Sequence, residues 1–180
     1  MLRICISGLT GSGKSTIGSR LAEGLNIMNI TKELTKSYSK FKKDSNKNNL
    51  KDIIETANTE YAKSFDREIA KLASKNNCVV TTWLGPWIVK NPTIRVWLNA
   101  SVEERARRKS LKDGMKLSEA KKYVMLKDRL TIDSFKNIYG INVMDHSAFD
   151  LEINTERVSI DATVSIISLL SAEKGKLAFR

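Results

Sequence analysis

Gly8-Leu9-Thr10-Gly11-Ser12-Gly13-Lys14-Ser15-Thr16 follows directly on Arg3-Ile4-Cys5-Ile6-Ser7, and this juxtaposition decides the fold. The first run fits GxxxxGK[ST]; the second, short and apolar, reads as a buried parallel strand. Glycines permit a tight turn and a close backbone approach, so that successive N–H groups face the oxygens of a di- or triphosphate. From Lys14 onward, Ile17 and Leu21 fall on one face of a helix, and the positive end of that helix points at the same oxygens. Gly8 through Thr16 therefore read as a phosphate-binding P-loop. In it the Lys14 ammonium reaches the terminal phosphates as a point charge, and the Ser15 hydroxyl ligates Mg²⁺. A plain glycine-rich turn between strand and helix would not need every fixed position of the pattern filled.

Outward from this loop, strands and helices alternate. Gly24 is a C-cap for the first helix, and Asn26 to Ile30 make a short second strand. Thr31 to Tyr38 is lysine-bearing and passes into the polar loop Asp44-Ser45-Asn46-Lys47-Asn48-Asn49. From Leu50 to Ala73 apolar residues recur every three or four positions, which predicts one long amphipathic helix capped by Asn48 or Asn49. Residues 31–74 thus read as a helical insertion between strands. Cys78 to Thr82 is a buried strand, Gly85-Pro86 punctuates a turn, and Thr93 to Leu98 is another strand. Ser101 with Glu104 forms a capping box opening a basic helix from Val102 to Ser110. A long helix from Ser118 to Tyr139, a strand from Phe149 to Asn154 and a helix from Val158 to Leu170 complete the chain, with 174–180 as a frayed basic tail. The expected architecture is an α/β three-layer P-loop fold with a mostly parallel five-stranded sheet, in a single domain over 1–180.

The 180 residues are 41% hydrophobic and 28% charged, an ordinary globular composition. Lys and Arg number 31 against 20 Asp and Glu, a net charge of +11. This excess suits a protein that handles several phosphates, permits non-specific contact with nucleic acid, and also fits a solvated lysine-rich surface. Cys5 and Cys78 lie in apolar runs as small buried hydrophobes and suggest no disulfide framework. His146, the only histidine, reads as a surface or loop residue. With no charged-then-apolar leader and no apolar run near the ~18 residues of a membrane span, the expectation is a soluble cytoplasmic protein without a membrane partner.

Further matches are spread along nearly the whole chain. They are Leu84-Gly85-Pro86-Trp87, Val96-Trp97-Leu98, then Ala100, Glu103, Arg105, Ala106, Arg108, Asp113-Gly114 and Glu119-Ala120, then Tyr139-Gly140-Ile141 and Asp150 to Thr155. In these, and in the order of elements, the sequence resembles the nucleoside monophosphate kinases and is most similar to the short archaeal-type cytidylate kinases. The resemblance implies ATP and Mg²⁺ as cofactors and a nucleoside monophosphate, CMP first among them, as acceptor. It implies that the helical insertion binds the monophosphate, that about 109–135 form a lid, and that Arg108 lies against the ATP. The other reading of Arg108 is a solvated cation on an exposed helix face.

Departures from the family pattern sharpen the expectations. Where the family carries Glu and Arg at the end of the central strand, this chain has Thr81 and Trp83. The lid-helix positions read Lys127-Asp128, Leu130-Thr131 and Ser134. Lys127 and Arg129 are then candidates to reach phosphates, and Lys36 to replace an arginine of the monophosphate region, although Lys lacks the bidentate fork of Arg. Trp83 either packs on a nucleobase or closes a core against Trp87. Three functional readings follow: a kinase, a catalytically weakened nucleotide-binding switch of the same fold, and a P-loop NTPase associated with nucleic acid. The last lacks a recognisable stacking platform and is not favoured.

Overall fold

A computed structural model describes residues 1–39 and 60–177 of the chain. The expected loop at 44–49, the helix cap at Asn48 or Asn49 and the first turns of the helix expected from Leu50 lie outside the described residues. β1 (Arg3–Gly8) is the centre of a five-stranded sheet, flanked by β3 (Cys78–Val80) and β4 (Ile94–Asn99), with β2 (Met28–Asn29) and β5 (Leu151–Asn154) at the edges. The order is β2-β3-β1-β4-β5, and every pairing is parallel, so each crossover carries helix.

Alternation along the strands divides the core. Ile4, Ile6, Val79, Ile94, Val96 and Leu98 face α1 (Lys14–Gly24) and α7 (Ile160–Leu177), meeting Ile17, Leu21 and Ile167. Cys5, Cys78 and Val80 face the other way, onto α2 (Ile30–Ser39), α3 (Glu60–Ala73) and the short α4 (Gly85–Ile88), meeting Ile30, Leu34, Ile69 and Ala73. Both cysteines are free and buried, and burial pushes both thiols up, Cys78 to about 11. α5 (Val102–Asp113) and α6 (Leu117–Tyr139) form a separate layer joined by Ala106, Ala120 and Val124.

Several boundaries differ from the sequence reading for local reasons. The second strand is only Met28–Asn29, because Asn29 Oδ1 accepts the Lys32 N–H at 3.0 Å and starts α2 at once. α5 runs on to Asp113, where Gly114 at φ 68° stops it, and α6 ends at Gly140 with φ 67°. β5 begins at Leu151, since the Phe149 N–H bonds to His146 O and its ring packs on Trp87 and Trp97. The last helix starts at Ile160, with the Ser159 hydroxyl accepting from Ala162 N, and extends to Leu177 through part of the expected tail. The capping box is half made: Ser101 Oγ accepts from Glu104 N at 3.2 Å, but the Ser101 N–H goes to Glu156. Glu104 is taken instead by two arginines. His146 is in a loop as expected, yet it is stacked on Trp97 with ring centroids 4.1 Å apart.

α1 packs on the sheet at Gly18, where a Cβ would run into the Thr81 methyl. Helix propensity favours alanine at such a position, but the overlap outweighs it. Gly18→Ala is expected to cost about 1–3 kcal/mol of stability, and adding Thr81→Ser, which removes that methyl, recovers most of the loss in denaturant unfolding.

Candidate active site

The segments that follow β1, β3, β4 and β5 converge beyond the carboxyl ends of a parallel sheet, the usual place for a ligand in such a fold. They line a cleft of about 700 Å³ with Thr10, Gly11, Gly13, Lys14, Ser15 and Thr16 on its floor. Gly8, Gly11 and Gly13 have φ of 142°, 82° and 101°, values that side chains rarely tolerate. A Cβ on Gly8 would strike Leu98 O and approach Ser12 Oγ to 2.7 Å, so glycine is required there by space as well. The first bond of α1 runs from Ile17 N to Gly13 O, and the amides of Lys14, Ser15 and Thr16 precede it at the helix end where intrahelical acceptors are lacking. Ser12 Oγ is buried with no hydrogen-bond partner among the described residues. A cradle of left-handed glycines, free helix-end geometry and an orphaned hydroxyl together fit a bound polyphosphate.

Lys14 lines the cleft with its ammonium folded back onto the loop. Its Nζ donates to the carbonyls of Gly8 at 2.5 Å and Leu9 at 2.9 Å, and sits 5.4 Å from the centre of the Trp83 ring. Burial pulls this ammonium down to about 7; Asp128 opposes the change, while Lys127 and Arg105 reinforce it. Trp83 O accepts from Ser7 Oγ at 2.8 Å, which holds the indole at the cleft. It packs on Phe135, whereas Trp87 packs on Phe149, so the expected core against Trp87 is not formed. Thr81 is buried against Gly18 and does not line the cleft.

Arg108 is held at the cleft rather than solvated. Its Nε meets Glu104 Oε1 at 2.8 Å, and its other nitrogens meet Thr155 Oγ1 at 3.0 Å and Thr155 O at 2.8 Å. The Thr155 hydroxyl lies 2.9 Å from Ser12 O, which ties this arginine to the P-loop. Glu104 is bound by Arg107 and Arg108, which hold its carboxyl down at about 2. Arg107, Lys109, Lys112 and Lys127 complete the basic rim. Ser15 is exposed at the cleft and available to a cation carried by phosphates; no cluster of three or more acidic, His or Cys ligands exists among the described residues.

Two expected site residues are not brought to the cleft. Arg129 is 81% exposed and turned toward Asp133 at 3.9 Å, and Lys36 is on the exposed side of α2 with Glu33 at 3.3 Å. Sequence reasoning missed Arg105 and Asp128, a buried pair with N···O 2.5 Å that grips Thr10.

This architecture with this loop defines the class of three-layer α/β P-loop folds. Residues 3–157 match the model of the cytidylate kinase-like family, and the chain belongs to that family. It is thereby a nucleotide kinase by class. The cytidylate kinase of Pyrobaculum arsenaticum is 32% identical over 188 residues, covering 97% of this chain and 99% of the relative. Among solved structures, an uncharacterised protein of Eubacterium ventriosum superposes with TM-score 0.71 at 18% identity, covering 96% of this chain and 99% of that one. The shikimate kinase of Bacteroides thetaiotaomicron superposes with TM-score 0.60 at 15% identity, covering 94% and 97%. These two likenesses speak for the fold alone. No helix among the described residues is long and apolar enough to cross a membrane.

The depressed Lys14 gives a signed pH dependence. Between about 7 and the unfolded value of about 10.4, the unfolded chain holds the proton and the folded one does not. Stability therefore rises with pH across that window. A bound polyphosphate restores the charge, so nucleotide binding near pH 8 is expected to take up a proton. Calorimetry in buffers of different ionisation enthalpy measures this uptake, and Lys14→Met removes it.

Proposed function

We propose that the protein transfers the γ-phosphoryl group of ATP to a nucleoside monophosphate, with CMP as the acceptor. The observation that supports it best is the charge of the cleft: Lys14, Arg107, Arg108, Lys109, Lys112 and Lys127 line it, and Glu104 is the one carboxylate in the lining among the described residues. Family membership and the cytidylate kinase name of its relative agree with this reading. The reaction needs positioning and charge neutralisation of a phosphoryl group in flight rather than a protein nucleophile.

In this reading Gly8 to Thr16 take the donor phosphates. The Ser15 hydroxyl, exposed at the cleft, would ligate a Mg²⁺ carried by the donor phosphates, and that ion would supply neutralisation of their charge. Lys14 exchanges the Gly8 and Leu9 carbonyls for phosphate oxygens, and Arg108, braced by Glu104 and Thr155, presents a guanidinium already oriented. Residues 31–74 form the acceptor insertion, with Lys36 and Trp83 on that side, and 109–135 form the lid. Arg129, in that segment, is exposed beside Asp133. Such closure over both nucleotides excludes water from the transfer.

A second reading, a nucleotide-binding protein with weakened turnover, is favoured by one feature. Thr81 and Trp83 supply neither a carboxylate nor a cation, and the indole under Lys14 has one N–H and no charge.

A coupled assay with MgATP and a panel of CMP, dCMP, UMP, AMP and GMP decides between the readings. CMP-dependent ADP formation is expected, reduced at least about a hundredfold by Lys14→Ala. Tight MgATP binding without acceptor-dependent turnover selects the weakened switch; acceptor-independent hydrolysis refutes the kinase reading. Trp83→Arg is expected to raise kcat/KM for CMP about tenfold by supplying the missing charged fork.

A further inference from the structure

Thr10 is gripped by side chains at both its N–H and its carbonyl. The N–H donates to Asp128 Oδ1 at 2.9 Å, the carbonyl accepts from Arg105 Nη1 at 3.0 Å, and that same nitrogen lies 2.5 Å from Asp128 Oδ2. Arg105 is fixed in turn by Ala100 O, which accepts from its Nε at 3.2 Å. The two side chains are 7% and 9% exposed. The crown of the loop also rests on α5 itself, for a Cβ on Gly11 would lie 2.8 Å from the Arg105 carbonyl oxygen. A closed ring of hydrogen bonds therefore joins the P-loop, α5 and α6 through one residue.

Packing alone does not account for this ring. Apolar residues of similar volume commonly replace a buried ion pair with no loss of stability. What they lack is the ability to hold a peptide N–H and a carbonyl together. Thr10 immediately precedes Gly11, Ser12 and Gly13, so a rotation of its peptide planes re-aims the amides that face the phosphates. Asp128 is also adjacent to Lys127, which lines the cleft. One turn of α6 thus presents a cation to the ligand and a carboxylate to the loop.

We propose that Asp128 is a positioning residue of the nucleotide site: acting with Arg105, it holds Thr10 so that the P-loop keeps its phosphate-binding form while α6 is docked. The proposal rests on reading the cleft as a nucleoside triphosphate site. Undocking of α6 removes the carboxylate, leaves the Arg105 charge buried alone and releases the loop. Nucleotide affinity and the position of α6 are then one equilibrium.

The test reads MgATP affinity by calorimetry well below the melting temperature, together with hydrogen exchange at the Thr10 amide by NMR. Asp128→Asn is expected to weaken MgATP binding by about ten- to a hundredfold and to speed Thr10 exchange. The double variant Arg105→Met with Asp128→Leu is expected to melt close to the wild type, yet to show the same loss of affinity. A folded double variant that binds MgATP as the wild type does overturns the proposal, because the pair is then packing only. A Thr10 amide that exchanges in the wild type as fast as an exposed loop amide overturns it whatever the variants do. The two readings fail separately: wild-type protein that binds MgATP but phosphorylates no acceptor refutes the kinase activity and leaves the clamp to its own outcome.

Discussion

The site depends on an electrostatic imbalance that the fold creates and does not cancel. Lys14, Arg107, Arg108, Lys109, Lys112 and Lys127 share one cleft, and the carboxylates nearest them are already committed. Glu104 is held by Arg107 and Arg108, Asp113 by Lys109, and Asp128 by Arg105. In a partly desolvated cleft, repulsion among such cations is screened less than on an open surface. Lys14 folds onto two carbonyls and an indole face, and burial first, with the charges of Lys127 and Arg105 behind it, lowers its affinity for a proton. The excess of positive charge over carboxylates in the lining is the complement of a polyphosphate.

The centre of this arrangement was legible in the sequence because its constraints are local. Three glycines in a strand–loop–helix context leave few other conformations, and the pattern places Lys14, Ser15 and Thr16 without further information. Arg108 was legible only through resemblance, since its spacing alone fits an exposed helix face equally well. What fixes it is Thr155, nearly fifty residues downstream, and no local pattern announces that contact. Lys36 and Arg129 are candidates through the resemblance, as a stand-in for an arginine of the monophosphate region and as a lid-helix cation; the structure places both on exposed faces, beside Glu33 and Asp133. The expected insertion over 31–74 is represented by α2 and α3 at its two ends.

Asp128 shows a signal that was present and overlooked. Ala120, Val124 and Asp128 are the buried residues of α6, spaced by four, so the carboxylate sits on the apolar stripe of its own helix. Arg105 is its counterpart beside Ala106 on α5. A lone charge on such a stripe would be costly; two on facing stripes call for each other. Trp83 is the converse case. Read as a sequence, an indole suggests core, but β3 has ended by residue 80 and Ser7 takes the Trp83 carbonyl, which turns the ring to the cleft. Helical close approach explains Thr81 similarly: Gly18 admits its methyl, and the residue is absorbed into packing.

α6 links these features because it is a single helix that meets the P-loop near its middle and α3 at its end. Asp128 meets the P-loop, while about 16 Å further on, at 1.5 Å per residue, Tyr139 donates its hydroxyl to Asp66 of α3 at 2.8 Å. Between them Phe135 bridges Trp83 and Tyr139. Burial raises the Asp66 carboxyl, and the Tyr139 hydrogen bond pulls it back, so the pair joins two partly desolvated groups rather than two solvated ones. Trp83 lies in the middle of this chain of contacts, its indole packed on Phe135 of α6 while the Lys14 ammonium lies 5.4 Å from the ring centre.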